Sequence, residues 1–167
     1  MSDPRPPQAP EVERAFSPNP HLLAAAVLAL LPVLALVGVF GLAGASHSVT
    51  QGPLEVTVAY PERYRYKMLH PFEITVRNTS EAVVAGVRVG VDTAYVDRFS
   101  GVAFTPTPDD VTADAYGFDL GAIGPGGSRV ITAELQAERY WLTEGRVVLD
   151  WDAGQPLEIL LSTFVWP

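Results

Sequence analysis

The spacing of hydrophobic residues in this chain changes once, near residue 45. Residues 22–43 have the sequence LLAAAVLALLPVLALVGVFGLA, which contains no charged side chain. As a helix, this run would extend ~33 Å, enough to cross the ~30 Å hydrocarbon core of a bilayer. Pro32 lies in its middle, and membrane helices tolerate proline where neighbouring groups satisfy the freed carbonyl. The pattern therefore predicts one N-terminal transmembrane helix over residues 21–45.

The flanks of this segment predict its orientation. The proline-rich residues 1–20 contain Arg5 and Arg14, whereas residues 45–62 contain neither lysine nor arginine. Positively charged flanks stay in the cytoplasm, so we expect a disordered cytoplasmic tail and a C-terminal part in the periplasm or outside the cell. The alternative is a signal peptide cleaved after the A-x-A sequence of residues 43–45. A signal core has only ~7–15 apolar residues, which favours an uncleaved anchor in the cytoplasmic (inner) membrane.

Beyond a polar linker at residues 46–53, apolar and polar residues alternate at every second position, as in half-buried strands. The apolar positions of two such runs are Leu54, Val56, Val58 and Tyr60, and then Phe72, Ile74 and Val76. Turn-forming sequences separate the runs, among them residues 78–80 (NTS) and 124–127 (GPGG). The pattern predicts an all-β fold over residues 54–167, an Ig-like antiparallel β-sandwich of about seven or eight strands.

Three segments of this region match a known kind of module. They are FEITVRNTSEAVVAGVRVGVD from residue 72, FDLGAIGPGGSRVITAEL from residue 118 and TEGRVVLDWD from residue 143. Together they resemble the bacterial cell-adhesion-related (CARDB-like) Ig-like modules, in which a turn of the form L-x-x-L-x-P-G precedes a strand. The matching positions are Leu120, Ile123, Pro125 and Gly126. The resemblance covers about residues 54–165, apart from a longer segment at 93–115, and implies a fold without an active site.

Composition narrows the classes of function. The 167 residues include 11 Lys and Arg against 19 Asp and Glu, a net charge of −8, and no cysteine. The acidic balance argues against a nucleic-acid partner, and the absence of cysteine excludes disulfides and Cys-ligated metals. There is no G-x-S-x-G motif, and His21, His47 and His70 are dispersed. We therefore predict a protein that is not an enzyme and has no cofactor and no metal.

The segment 93–115 provides an alternative function. Its acidic residues are Asp109, Asp110 and Asp114, and its large aromatic residues include Tyr95, Phe99 and Phe104. Carboxylates on a loop suit Ca²⁺, although the glycine and ligand spacing of an EF-hand loop are absent. The alternative to an interaction protein is therefore an extracytoplasmic module, tethered to the membrane, that binds cell-wall glycan or calcium.

Glycines in the predicted helix provide a first candidate contact surface. Gly38, Gly41 and Gly44 recur at every third position. Small residues at such spacing let a neighbouring membrane helix approach closely. We therefore expect these glycines to pack against an integral membrane protein subunit.

A basic run at the start of the β region provides a second candidate surface. The run consists of Arg63, Tyr64, Arg65, Tyr66 and Lys67. In an extended strand its tyrosines share one face and its basic residues the other. The functional interpretation is a patch that contacts lipid headgroups or an acidic partner subunit. The alternative is an ordinary strand with its tyrosines in the core and its charges in water.

These observations favour a membrane-anchored, non-catalytic interaction protein. The sequence contains no recognisable group of catalytic residues. It does contain a helix with small packing residues, and we expect its sheet to have exposed edges. We expect an accessory subunit that docks on or stabilises a larger bacterial membrane complex, with integral membrane subunits and the lipid bilayer as partners.

Overall fold

The computed structural model describes residues 20–36, 43–152 and 154–167. These residues belong to two separate units, a helical one and a β domain. Helix α1 spans Pro20–Leu36 and contains Pro32. Its first residue is a proline, which suits a helix start because the N–H that proline lacks would have no intrahelical partner there. Residues 37–42, predicted as part of the same helix, lie outside the described residues.

Helix α1 is apolar on all of its sides. Among its described side chains, the large exposed ones are Val27, Leu28, Leu30, Val33 and Leu36. At 3.6 residues per turn, these five positions point in five different directions around the helix axis. The exposed fraction reaches 67% at Leu28 and 87% at Leu36. Within the described residues, no helix has both the length and the apolar character that crossing a membrane requires.

Strand β1 (Ala43–Gln51) corrects two boundaries that the sequence predicted. Residues 43–45 were expected to end the helix, and residues 46–53 to form a linker. Instead, β1 lies antiparallel along strand β2 (Leu54–Arg65), from the pair Ala43–Arg63 to the pair Gln51–Leu54. Most side chains of β1 are exposed, so its sequence is polar and has no alternating hydrophobic pattern. The strand is defined by its backbone pairing with β2, which the sequence alone does not reveal.

The remaining strands complete a mostly β domain. They are β3 (Leu69–Asn78), β4 (Val84–Asp92), β5 (Phe99–Ser100), β6 (Asp110–Val111), β7 (Ala115–Ile123), β8 (Ser128–Ala137), β9 (Trp141–Asp150) and β10 (Leu157–Trp166), with a short helix α2 (Thr93–Val96) after β4. All ten strands belong to one curled sheet, in the order β5-β8-β3-β2-β10-β9-β4-β7-β6, with β1 paired to the edge of β2 opposite β3. The prediction of a mostly β domain is confirmed, but its described residues form ten strands instead of seven or eight, and β2 pairs parallel with β10 instead of antiparallel.

Strand β2 connects the two layers of the sandwich by changing its partner. Its first half pairs antiparallel with β3, from Leu54 to Ala59, and its last three residues pair parallel with β10. Between them lies the buried Pro61, which has no N–H for a ladder hydrogen bond. The register with β1 also shifts here, between Ala43 and Gly44. A bulge at a proline bends a strand, and this bend brings β2 from one layer to the other.

The core lies between the layers. The apolar residues at alternate positions of the strands are buried there, including Val56, Val58, Ile74, Val76, Val89, Val91, Ile131, Leu149 and Leu161. Each such side chain contributes about 1.5–3 kcal/mol when fully buried. The period-two pattern of the sequence therefore places these side chains correctly.

Asn78 closes one end of the sandwich from a fully buried position. Its side-chain nitrogen donates to the carbonyl oxygen of Ile123 at 2.9 Å and also to that of Ala82. Its side-chain oxygen accepts from the backbone N–H of Ser80 at 2.9 Å. The amide thus links the end of β3 to the end of β7, which lies in the other layer.

Candidate interaction surface

The other end of the β domain is where the chain arrives from the apolar segment. Ala43, the first residue of β1, pairs with Arg63 of β2. Arg63 in turn pairs with Phe164 of β10, and Val165 of β10 pairs with Trp141 of β9. The register therefore brings the start of β1, the end of β2, the end of β10 and the start of β9 together.

Basic and aromatic side chains concentrate at this end. We call the set the basic–aromatic end and define it as Arg63, Arg65, Tyr66, Lys67, Tyr140, Trp141, Phe164 and Trp166. Four members belong to the run that the sequence singled out, and four come from β9, its preceding turn and β10. The exposed fraction is 63% at Trp141 and 56% at the adjacent Leu142. A surface that combines exposed aromatic rings with cations suits an amphipathic partner.

Within the predicted basic run, the tyrosines separate from one another. Tyr64 is fully buried in the core, whereas Tyr66 is only half-buried and Arg65 is exposed. The alternation ends with β2 at Arg65, because Lys67 adopts a left-handed backbone with φ of 63° in the turn to β3. The ordinary-strand interpretation thus describes Tyr64, while the rest of the run lies at the surface.

Tyr64 occupies an apolar site. Its ring lies 6.3 Å from that of Phe99 in a stacked arrangement and 5.9 Å from that of His70, edge to face. Among the described residues its hydroxyl has no hydrogen-bond partner. Burial, with a smaller contribution from the neighbouring Tyr95, raises the pKa of the Tyr64 phenol well above its ordinary value. This side chain therefore belongs to the core and not to the interaction surface.

Lys67 joins the turn after β2 to the turn after β8. Its Nζ lies 3.0 Å from Glu138, which also accepts a 2.6 Å hydrogen bond from the Ser100 hydroxyl. The backbone carbonyl of Lys67 accepts from the Gln136 side chain at 2.9 Å. The Glu138 partner raises the pKa of the Lys67 ammonium, and the hydrogen bonds from Ser100 and Lys67 lower the pKa of the Glu138 carboxyl. The ion pair holds the two turns together.

The aromatic rings of the basic–aromatic end contact one another in two groups. Phe164 lies between two tryptophans, with centroids 6.2 Å from Trp141 and 4.7 Å from Trp166. Tyr66 packs on Tyr140 at 4.5 Å. The backbone links the groups, since the N–H of Tyr66 donates to the carbonyl of Trp166 at 3.0 Å. Such contacts restrict the rings without burying them all.

Sequence reasoning missed the half of this surface that comes from β9, its preceding turn and β10. Arg139, Tyr140 and Trp141 form a second basic and aromatic run, which was the signal available. Its relation to residues 63–67 depends on the parallel pairing of β2 with β10, which no local pattern reveals.

Of the three glycines predicted to pack against a membrane helix, only Gly44 lies within the described residues. Gly38 and Gly41 lie outside the described residues. Gly44 belongs to strand β1 and not to a helix, and a Cβ there would contact the His70 ring at 3.7 Å. Gly44 therefore does not serve helix packing, because strand pairing with β2 continues to the bend at Pro61.

The three acidic residues proposed to bind calcium each make a different local contact. Asp109 accepts a hydrogen bond from the backbone N–H of Asp119 at 2.7 Å, and Asp110 lies against Gly117. The carbonyl of Asp114 accepts from the N–H of Thr93. Across the described parts of the chain, no three His, Asp or Glu side chains are grouped as a metal site.

The aromatic candidates for glycan stacking are core residues. Tyr95, Phe99 and Phe104 are all buried. Tyr95 packs on Phe99 at 5.0 Å, and Phe104 packs on Phe118 at 5.2 Å. Tyr95 on α2, Phe99 on β5 and Phe104 after β5 therefore pack in the core and do not present exposed rings for stacking on a sugar.

The comparisons with known proteins concern the fold. No protein-family model and no curated protein matches the sequence. Among solved structures, the chain is similar to a CARDB domain from Pyrococcus furiosus, with 14% identity over 68% of this chain and 94% of that chain and a TM-score of 0.46. A CARDB domain, the kind of module that the sequence resembles, is thus among the structures to which the chain is similar.

Two larger enzymes are also among the matching structures. An alkylpurine DNA glycosylase from Pseudomonas fluorescens, bound to DNA, matches 89% of this chain with 16% identity and a TM-score of 0.36. An exo-β-N-acetylglucosaminidase from Vibrio harveyi matches 70% with 12% identity and a TM-score of 0.34. This chain spans only 40% of the first protein and 18% of the second.

Proposed function

We propose that this chain is a membrane-anchored, non-catalytic interaction protein. Its apolar N-terminal segment lies in the hydrocarbon of the cytoplasmic membrane, and its Ig-like domain docks outside that membrane on an integral membrane subunit of a larger complex. The observation that carries the proposal is helix α1, whose exposed apolar side chains point in all directions.

The physical argument concerns what can surround α1. A helix that is apolar on every side is stable where it is buried in protein or lipid. Leaving a large apolar side chain in water costs about 1.5–3 kcal/mol relative to burial. Among the side chains of α1 that the structure describes, five large apolar ones are exposed: Val27, Leu28, Leu30, Val33 and Leu36. Exposed apolar surfaces of this extent mark contact sites for membranes or proteins.

Alkaline extraction of membranes tests the anchor. We expect the full chain to remain in the membrane pellet, and a Leu28→Arg, Leu30→Arg variant to be extracted, because arginine in a bilayer costs about 2.5–3.5 kcal/mol per residue. Leu160→Arg is the matched control, since Leu160 is 73% exposed on β10. Extraction of the unaltered chain into the soluble fraction would contradict the proposal.

Cysteine labelling tests the orientation. The chain contains no cysteine, so a single Glu81→Cys in the exposed turn after β3 provides a unique thiol. We expect a membrane-impermeant maleimide to label it in intact cells, and to label Ser2→Cys only after the cells are opened. The reverse result would place the Ig-like domain in the cytoplasm.

Native electrophoresis after mild detergent extraction tests the docking. We expect the chain, at its natural expression level, to migrate together with an integral membrane protein in a fixed molar ratio. Migration of the full-length chain as a single lone species would contradict an accessory-subunit role while leaving the anchor intact.

A further inference from the structure

We propose that the basic–aromatic end of the Ig-like domain rests on the anionic headgroup layer of the membrane that holds the apolar segment. This inference rests on the proposed function, because the membrane anchor brings the domain to the lipid surface. It adds a contact surface, a ligand chemistry and an orientation for the domain.

Chain connectivity favours this end of the domain over the other. Only six residues separate Leu36 of α1 from Ala43 of β1, and Ala43 pairs with Arg63. The turns at the opposite end, at residues 52–53 and 124–127, lie a full strand length away along β2 and β8. The basic–aromatic end is therefore the end of the domain that is attached to the proposed membrane segment.

The charges at this end are suited to anionic phosphates. The chain carries a net charge of −8, yet Arg63, Arg65 and Lys67 follow one another at alternate positions here. Glu138 neutralises Lys67. Within residues 43–152 and 154–167, neither Arg63 nor Arg65 forms an ion pair, so both guanidinium groups are available to a phosphate. Basic residues beside a bilayer are attracted to the negative potential of its anionic lipids.

The aromatic rings suit the boundary between headgroups and acyl chains. Tryptophan and tyrosine are enriched at that depth because they combine an apolar ring with a hydrogen-bonding group. Trp141 is the most exposed aromatic side chain of the domain, and Tyr140 and Leu142 beside it are also exposed. Tyr140 immediately precedes β9 and Trp141 begins it, so the two rings lie at the same end of the domain.

Tryptophan quenching by brominated lipids tests the contact on the full chain in liposomes. The chain has three tryptophans, two at the basic–aromatic end and Trp151, which is buried at the far end beside Gly52. We expect strong quenching of the unaltered protein, a clear decrease for Trp141→Phe, and no decrease for Trp151→Phe. Equal quenching of both variants would overturn the proposal.

Lipid charge provides the second arm. An Arg63→Gln, Arg65→Gln variant is expected to lose about half of the quenching in anionic phosphatidylglycerol liposomes, and little in neutral phosphatidylcholine. Arg77→Gln, Arg129→Gln is the matched control, since both arginines are exposed near the other end of the domain. Equal quenching of the two pairs in anionic liposomes would contradict headgroup binding by Arg63 and Arg65.

Two further outcomes separate this inference from the proposed function. If the chain floats with liposomes while Trp141 remains unquenched, the anchor stands and the headgroup contact is wrong; if the chain does not float, the anchor itself is wrong.

A photo-crosslinker at position 141 in native membranes should form lipid adducts. A discrete protein adduct there would assign the surface to a protein partner and overturn the inference.

Discussion

The phenol oxygen of Tyr95 lies 2.8 Å from the hydroxyl oxygen of Thr163 in the core. Thr163 donates its own proton to the carbonyl of Pro61 at 2.7 Å, so it accepts the proton of Tyr95. This chain of two hydrogen bonds ties α2 to β10 and to the bend where β2 changes layers. A buried polar group that is satisfied in this way defines a position more sharply than apolar packing does.

Removing the hydroxyl of Tyr95 should lower the free energy of unfolding more than removing the hydroxyl of Tyr64. Tyr95→Phe loses the hydrogen bond to Thr163, and we expect the free energy of unfolding to fall by about 1 kcal/mol. Tyr64→Phe removes a buried hydroxyl that has no partner among the described residues, so stability should stay the same or rise. Urea denaturation of the full chain in mild detergent measures both. Equal losses would show that Tyr64 has a partner after all.

High pH should destabilise the domain through the same tyrosines. Burial raises the pKa of both Tyr64 and Tyr95 in the folded state, whereas unfolded tyrosine ionises near pH ~10. Their contribution is therefore fully present below pH ~10 and is lost as pH rises above it, by up to about 1.4 kcal/mol per pH unit for each tyrosine.

Ultraviolet phenolate absorbance during an alkaline titration checks this dependence. We expect part of the absorbance to appear only with cooperative unfolding. Tyr64→Phe should raise the midpoint of alkaline unfolding, while Tyr140→Phe, at an exposed position, should leave it unchanged. Gradual ionisation of all six tyrosines before unfolding would contradict the burial argument.

Gly145 on β9 lies directly beneath Tyr95, and a Cβ at this glycine would overlap the Cβ and ring of the tyrosine. Gly145→Ala must displace α2 or distort β9, so we expect a loss of about 1–3 kcal/mol in unfolding free energy. Gly124→Ala is the matched control, because nothing lies within 4 Å of its Cβ position. Similar stability of the two variants would show that α2 moves without cost.

The carboxyl of Glu138 should titrate below the usual range for glutamate. The hydrogen bond from Ser100 lowers its pKa most, followed by the one from Lys67. We therefore expect Ser100→Ala to raise this pKa more than Lys67→Met does, as measured by carbon-detected NMR of the carboxyl group. Any stabilisation from this lowered pKa is present near neutral pH and is lost as pH falls through the folded value. An unchanged pKa in Ser100→Ala would exclude the hydroxyl as the cause.

The core pattern could be predicted from the chain because it depends on local periodicity. Val56 and Val58 alternate with polar residues, and a strand places alternate side chains on opposite faces. The same reasoning failed to predict the burial of Tyr95, Phe99 and Phe104, because their segment has no regular period. Their burial depends on packing against distant residues such as Gly145 and Phe118. Strand β1 was missed because its exposed, polar sequence carries no hydrophobic pattern.

The interaction surface shows where local information ends. The sequence by itself determined a continuous apolar segment, a domain of alternating strands and a basic run at residues 63–67, because each is a pattern of neighbouring residues. Only the tertiary structure decided that Tyr64 enters the core and that Trp141 and Phe164 join Arg63 at one end. These side chains become neighbours because of the register between strands that are distant in the sequence. That register depends on which layers pack together and not on any single run of residues.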